Sequence, residues 1–449
     1  MALSAKHQKY LAKADSNSVR EIFISLSDNW RHRDWLLRNN RYRRNCIKRI
    51  KADTQTNRRV NHRHLCDYIA ASIITHCSDG WSYLGRAIES ELHGDPDASR
   101  HLGYYAELRA AMSLLAAIGI GVFKNKHVVL NSNRRCECFG APPTHEFVWD
   151  GLNYWANTGD ASRVLLEVIQ PGGVPLSQWL NGFSVGSGVQ NVLARQWLLQ
   201  WGLDLRSFSE DRESRNAASY RPTAFTSPGP TGAPDTISFI KHIWGVCEPL
   251  GQNHFPILDM HLLRRSLHLA FRRAYGRTHN QRRRLYIERI NEMLEGIQTL
   301  DTSPDHWRQF LINEDGDYCL RILVAAEGKA NVRHQDHSKQ VLARAALLLR
   351  VAIGVSRSLL RALPRNTRED LRFWWSALGR DRGLWGDSGE PAQFTELWTD
   401  IHEAIASLNS WEQATPSSSQ SYHRLWQDRS QEAAILGSTE RVGLWGLGL

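Results

Sequence analysis

The chain has 449 residues, 42% hydrophobic and 23% charged, with seven cysteines and a formal net charge of +10 at neutral pH. That length exceeds the roughly 250 residues at which a single core stops growing, so two domains are expected, and the ordinary apolar and charged fractions exclude wholesale disorder. A sparse, odd set of cysteines argues against a disulfide framework, and the lysine-bearing N-terminus lacks a signal-peptide core, so a soluble cytoplasmic protein is expected.

The charge is concentrated in one place. From Trp30 to His64 twelve Lys/Arg stand against Asp34 and Asp53, which leaves 44 basic and 44 acidic residues in the rest of the chain. Such asymmetry is the footprint of a phosphate-contacting surface. Its expected members are Arg31, Arg33, Arg38, Arg41, Arg43, Arg44, Lys48, Arg49, Lys51, Arg58 and Arg59. Trp30, His32, Trp35 and Tyr42 are interleaved among them, and aromatic rings at a basic surface can stack on bases or sugars. The alternative is a solvated helix face in a chain that carries 46 Arg against 10 Lys.

Helical periodicity dominates, so the fold class is expected to be mainly α, a helical two-domain protein with minor β excursions. From His101 to Gly119 the residues Leu102, Tyr105, Leu108, Met112, Leu115 and Ile118 recur at spacings of three and four, which predicts one apolar stripe and a stop at Gly119. The following "IGVFKNKHVVLNSN" mixes β-branched residues with turn formers and reads as a hairpin or extended excursion. Cys136 and Cys138 with His145, and His62 and His64 with Cys66, each offer three metal donors, one short of a structural zinc site, so no metal is expected. Gly182, Gly186 and Gly188 lack the Lys-Ser/Thr of a phosphate loop and read as a turn.

The stretch "DRESRNAASYRP", Asp211 to Pro222, holds Arg215-Asn216 with Tyr220 beyond. Together with the helix "YYAELRAAMSLLAAIGI" and its lysine-bearing excursion, it resembles the HEPN superfamily of small helical domains common in prokaryotic antiviral defence and toxin systems. Active members carry an Arg, usually followed by a polar residue, four to six positions before a His, and pair across a dimer to cut RNA without metal. Arg215 and Asn216 match, but Tyr220 stands where the histidine would be. A phenol of pKa about 10 is a poor general base at neutral pH, so the resemblance implies a degenerate, non-catalytic domain. The plain reading of the same residues is a polar helix end, with Arg215 paired to Asp211.

Four prolines between Pro222 and Pro234 mark a linker. The expected division is a basic region 1–95, a HEPN-like domain 96–221, a linker 222–236, a helical domain 237–412 and a linker with an apolar tail 413–449. In the second half, Arg264-Arg265 and Arg272-Arg273 share one side of a helix whose Leu262, Leu263, Leu267 and Phe271 face inward, a second possible nucleic-acid contact. Asp317, followed by an apolar run and Glu327-Gly328-Lys329, is the pattern of a Mg²⁺-dependent restriction-type nuclease, with "CLRILVAAEGK" as its strand. Val341 to Leu363 reads as a core helix whose Arg344, Arg350, Arg357 and Arg361 share a polar side, because arginines at that density forbid a membrane span. The tail "VGLWGLGL" reads as tucked against the body, with a partner-binding surface as the alternative.

These readings combine into a nucleic-acid-binding, non-catalytic subunit of a prokaryotic antiviral defence system, working with other protein subunits or a second copy and without membrane contact. The alternatives are a nuclease, HEPN-type or Mg²⁺-dependent, and a pure protein-interaction subunit.

Overall fold

The computed structural model describes residues 3–55, 60–183, 232–251, 253–275, 280–297, 303–313, 320–327, 337–363, 366–386 and 389–449. Nearly all of its regular structure is helical, as the periodicity implies. The N-terminal half contributes α1 (Ala5–Leu11), α2 (Ser16–Leu26), α3 (Cys46–Gln55), α4 (His62–Leu92) and α5 (Pro96–Ala117). Three short strands follow, β1 (Ile120–Gly121), β2 (Lys126–Leu130) and β3 (Cys136–Gly140), then α6 (Thr144–Ala156), α7 (Gly159–Val168) and α8 (Leu176–Gly182). Beyond residue 232 come α9 (Ala233–Cys247), α10 (Pro256–Tyr275), α11 (Asn280–Gly296), α12 (Pro304–Ile312), α13 (Arg321–Glu327) and α14 (His337–Arg361). The chain closes with α15 (Thr367–Asp370), α16 (Arg372–Arg382), α17 (Trp398–Ala414), α18 (Tyr422–Leu436) and α19 (Glu440–Leu447).

Local sequence starts these helices in the expected way. Ser4, Asp15, Asn61 and Asp95 cap α1, α2, α4 and α5 by accepting from the backbone N–H three residues on, and Pro96 adds a helix-compatible φ at the first position of α5. The excursion after α5 is an antiparallel sheet in the order β1-β2-β3, with Ile120 opposite Val129 and Val128 opposite Cys138. Gly119 ends the helix with φ +91°, a conformation open to glycine at little cost, and its Cβ position lies 3.0 Å from the Leu130 carbonyl oxygen.

The 31-residue α4 spans about 46 Å and forms an antiparallel hairpin with α5. Helix α14 lies against both. Missing side chains permit this close approach: a Cβ on Gly80 would meet Leu349 at 2.6 Å, and one on Gly103 would meet Val341 at 2.9 Å. At the same interface Arg344 of α14, 3% exposed, donates from Nε to Glu107 of α5, 0% exposed, over 2.9 Å. One turn and a half further along α14, Arg350 grips Asp259 of α10 with Nε at 3.0 Å and Nη2 at 2.6 Å, and Nη2 also donates to the Val168 carbonyl. Arg344 therefore lies on a different face of this helix from Arg350, Arg357 and Arg361, so the four do not share one polar side. Two of them are core groups, because buried carboxylates on neighbouring helices compensate them.

Buried apolar side chains from Leu11 to Leu447 belong to one continuous core. The expected boundary at 222–236 lies mostly outside the described residues, and the described chain on either side of it shares this core. The C-terminal tail is tucked in: every residue of α19 is buried, Thr439 donates to the Trp81 carbonyl, and Trp445 packs near Trp244 and Trp398. No helix among the described residues is long and apolar enough to cross a membrane.

Two tests follow from this core. Arg344→Met leaves Glu107 buried without its partner and should cost about 3 to 5 kcal/mol in urea denaturation, whereas Arg344→Met combined with Glu107→Leu should recover most of that loss. The second test concerns His127, fully buried and stacked on Phe147, whose Nδ1 accepts from the Phe123 N–H and whose Nε2 donates to the Pro142 carbonyl. Burial pushes its pKa down to about 4. The neutral ring stabilises fully above the unfolded value near 6.5, and the contribution fades as pH falls toward 4. The stability advantage of the wild type over His127→Phe should therefore shrink by roughly 1.4 kcal/mol per pH unit in that window. A constant difference would contradict the assignment.

Candidate nucleic-acid interface

The basic window folds around a buried carboxylate. Asp53 of α3, 1% exposed, accepts from Arg41 Nε at 3.0 Å and from the Tyr42 hydroxyl at 2.9 Å, with a second Arg41 contact through Nη2. Burial alone would raise the Asp53 pKa, but the bonds from Arg41 and Tyr42 outweigh it and hold the carboxyl below its ordinary value. Asn40 then ties the loop to α4 by donating to the His64 carbonyl, while the Arg41 N–H donates to His64 Nδ1. A second carboxylate, Asp34, takes Arg43 at 2.6 Å.

These contacts sort the cations. Arg41 is tied to the buried Asp53, and Arg43, itself exposed, is paired with Asp34. Arg31, Arg33, Arg38, Arg44, Lys48, Arg49 and Lys51 are exposed, and Arg58 and Arg59 lie outside the described residues. On α3 the buried Cys46, Ile50 and Asp53 recur at four and three, which turns Ile47, Lys48 and Lys51 outward. The aromatic expectation needs correction. Trp30 and Tyr42 are core residues at 1% and 0% exposure and are closed to a base, while the half-buried Trp35 packs edge-on to Trp30 and Trp374. His32 is exposed.

Aromatic groups suited to that role lie beside α3, in a cavity of about 330 Å³ whose rim includes Ile47, an apolar side chain 52% exposed among lysines and arginines. Tyr68, Ser72, His76 and Tyr83 of α4 and Tyr105, Arg109 and Met112 of α5 line it, at helical spacings that put each set on one face. Tyr83 and Tyr105 stack with centroids 5.4 Å apart, and Tyr68 lies 5.6 Å from Phe123. Arg109 Nη1 sits 2.8 Å from His76 Nδ1 and 3.5 Å from Asp79. Since arginine only donates, Nδ1 is the acceptor and the His76 proton sits on Nε2. Burial and then the Arg109 charge push the His76 pKa down to about 3, so the ring is neutral across the physiological range.

The stripe expected on α5 is thus divided. Tyr105, Leu108 and Met112 line the cavity, while Gly103, Ala106, Glu107 and Ala110 are the more deeply buried residues. Small residues take the tightest positions because they admit a neighbouring helix, which a reading of large apolar side chains overlooks.

Other expected site residues fall elsewhere. Arg215, Asn216 and Tyr220 lie outside the described residues, as do Asp317 and Lys329. Glu327 ends helix α13, not a strand, and pairs with Arg265 of α10 at 2.6 Å. In the second basic segment Leu262, Leu263, Leu267 and Phe271 face inward as expected, and Arg272 and Arg273 are exposed. Arg264 is instead packed over Phe310. Cys66 and Cys136, one from each proposed metal set, approach to 3.4 Å between Sγ atoms, yet no group of three or more His, Cys, Asp or Glu among the described residues is arranged to hold a metal. No family model, no curated protein and no solved structure matches the chain.

Asp53→Asn removes the charge that holds Arg41 in place and leaves a buried polar group poorly matched. Stability should fall by about 1 to 3 kcal/mol, and limited trypsin digestion should begin at Arg43 or Arg44. An unchanged digestion pattern would show that the loop is held by other contacts.

Proposed function

We propose that the protein binds single-stranded nucleic acid, with the exposed cations of α3 and the preceding loop on the phosphates and an unpaired base in the tyrosine-lined cavity. The observation that carries this reading is the position of Ile47, which belongs at once to the cationic helix and to the cavity rim. Proteins that hold single strands combine a positive track for the backbone with aromatic faces for bases, and every base offers a π-face. The cavity lies at the small end of ligand-pocket volumes, the size for one nucleoside rather than a larger cofactor. Arg109, the tyrosine hydroxyls and the neutral His76 supply polar groups for a base edge.

Two measurements test the reading. Fluorescence anisotropy with oligo-dT and oligo-U over a salt series should show salt-dependent binding. Replacing Arg44, Lys48, Arg49 and Lys51 together by Ala should flatten the slope by up to ~0.7 log units per lost phosphate contact. The same salt slope in the variant would overturn the assignment of α3. Tyr105→Ala should weaken single-strand binding by about 1 to 3 kcal/mol while leaving the salt slope unchanged. Equal affinity for the wild type and Tyr105→Ala would remove the cavity from the interface.

A further inference from the structure

A second cavity, of about 240 Å³, lies where α14, the end of α7 and the start of α10 meet. Its chemistry is cationic. Arg350, Gly354, Arg357 and Arg361 recur along α14 at four, three and four residues, so one helix face presents three guanidinium groups to the same space. The glycine among them is needed, since a Cβ there would meet Val168 at 2.8 Å and Arg350 Nη1 at 2.9 Å. Asp259 neutralises Arg350 through two hydrogen bonds, and the other lining carboxylate is Glu167. Arg361 and Ser358, both exposed, complete the lining on the same helix.

His254 supplies the independent sign of a ligand. It is 8% exposed, it lines this cavity, and its Nδ1 is buried with no hydrogen-bond partner among the described residues. A buried polar atom without a partner costs free energy, which a ligand bearing hydrogen-bonding oxygens would relieve. The electrostatics agree with an anionic ligand. Burial, followed by the charges of Arg361 and Arg350, lowers the Arg357 pKa to about 9, and burial with all three arginines lowers that of His254 to about 3. Added negative charge in the cavity would relieve both.

We infer that this cavity is a binding site for a phosphate group, held by Arg357 and Arg361 with Ser358 and His254 completing its hydrogen bonds. Arginine forks match the oxygens of phosphate, and Ser358 and His254 add further hydrogen-bonding groups around it. The group could be carried by a small phosphomonoester or by the phosphorylated end of a nucleic acid. The inference does not depend on the α3 surface, which is built from a different part of the chain.

The test uses the full chain and inorganic phosphate. Phosphate should raise the melting temperature in a saturable way beyond sodium chloride of equal ionic strength. Arg361→Gln, at an exposed helix end where folding is insensitive, should weaken phosphate binding about tenfold or more while leaving the unliganded melting temperature in place. Ser358→Ala should weaken it less. A second arm compares 5′-phosphorylated with 5′-hydroxyl oligonucleotide. Tighter binding of the phosphorylated strand, abolished by Arg361→Gln, assigns the cavity to strand ends, and equal binding of the two, with the phosphate effect intact, assigns it to a small phosphomonoester. No stabilisation by phosphate beyond chloride, or equal phosphate binding by Arg361→Gln and the wild type, overturns the inference.

Discussion

The ion pair between Arg344 and Glu107 is the constraint on which the arrangement of the described chain turns. An unpaired buried charge is expensive, so once α14 carries Arg344 into the interior its position against α5 is fixed to within hydrogen-bonding distance. Glycines at 80 and 103 make that distance attainable by removing the side chains that would hold the helices apart. The consequence reaches the opposite side of α5. Tyr105 and Arg109 each follow a residue that faces α14, Gly103 and Glu107, by two positions, or about 200° around the helix. Fixing one face of α5 in the core thus presents the other to the tyrosine-lined cavity.

The basic region obeys a related rule. A segment with this density of positive charge repels itself, and its two acids, Asp34 in the loop and Asp53 on α3, pair with Arg43 and Arg41. What remains on the outside is a set of cations on α3 and its approach, with Ile47 among them. The internal pairs give the surface its shape, and the exposed cations give it its charge.

Much of this was legible in the sequence and some was not. Helical periodicity gave the mainly α class, and the β-branched run after Gly119 gave the small sheet, because both signals are local. The cluster of charge from Trp30 to His64 also showed at once. Its internal division did not, since the pairing of Arg41 with Asp53, twelve residues apart, depends on how the loop folds back on α3. Trp30 and Tyr42 looked available for stacking because sequence proximity to arginines says nothing about burial. The cavity was missed although its marks were present: Tyr68, Ser72, His76 and Tyr83 lie on one face of α4, but recognising them requires knowing that this face meets Tyr105 and Arg109 of α5. Arg344 and Arg350 resisted prediction for the same reason, their carboxylate partners being 237 and 91 residues away in the chain.

In the proposed mode of binding, bases of a single strand enter the cavity between α4 and α5 while phosphates lie on α3. Ultraviolet crosslinking of a 4-thiouridine-containing oligonucleotide, followed by mass spectrometry of the crosslinked peptides, addresses this directly. Crosslinks at Tyr68, Tyr83 or Tyr105 and at peptides spanning α3 are the result the account predicts. Crosslinks confined to α10 and α11, around Arg272 and Arg273, would contradict it and move the interface to the second basic segment.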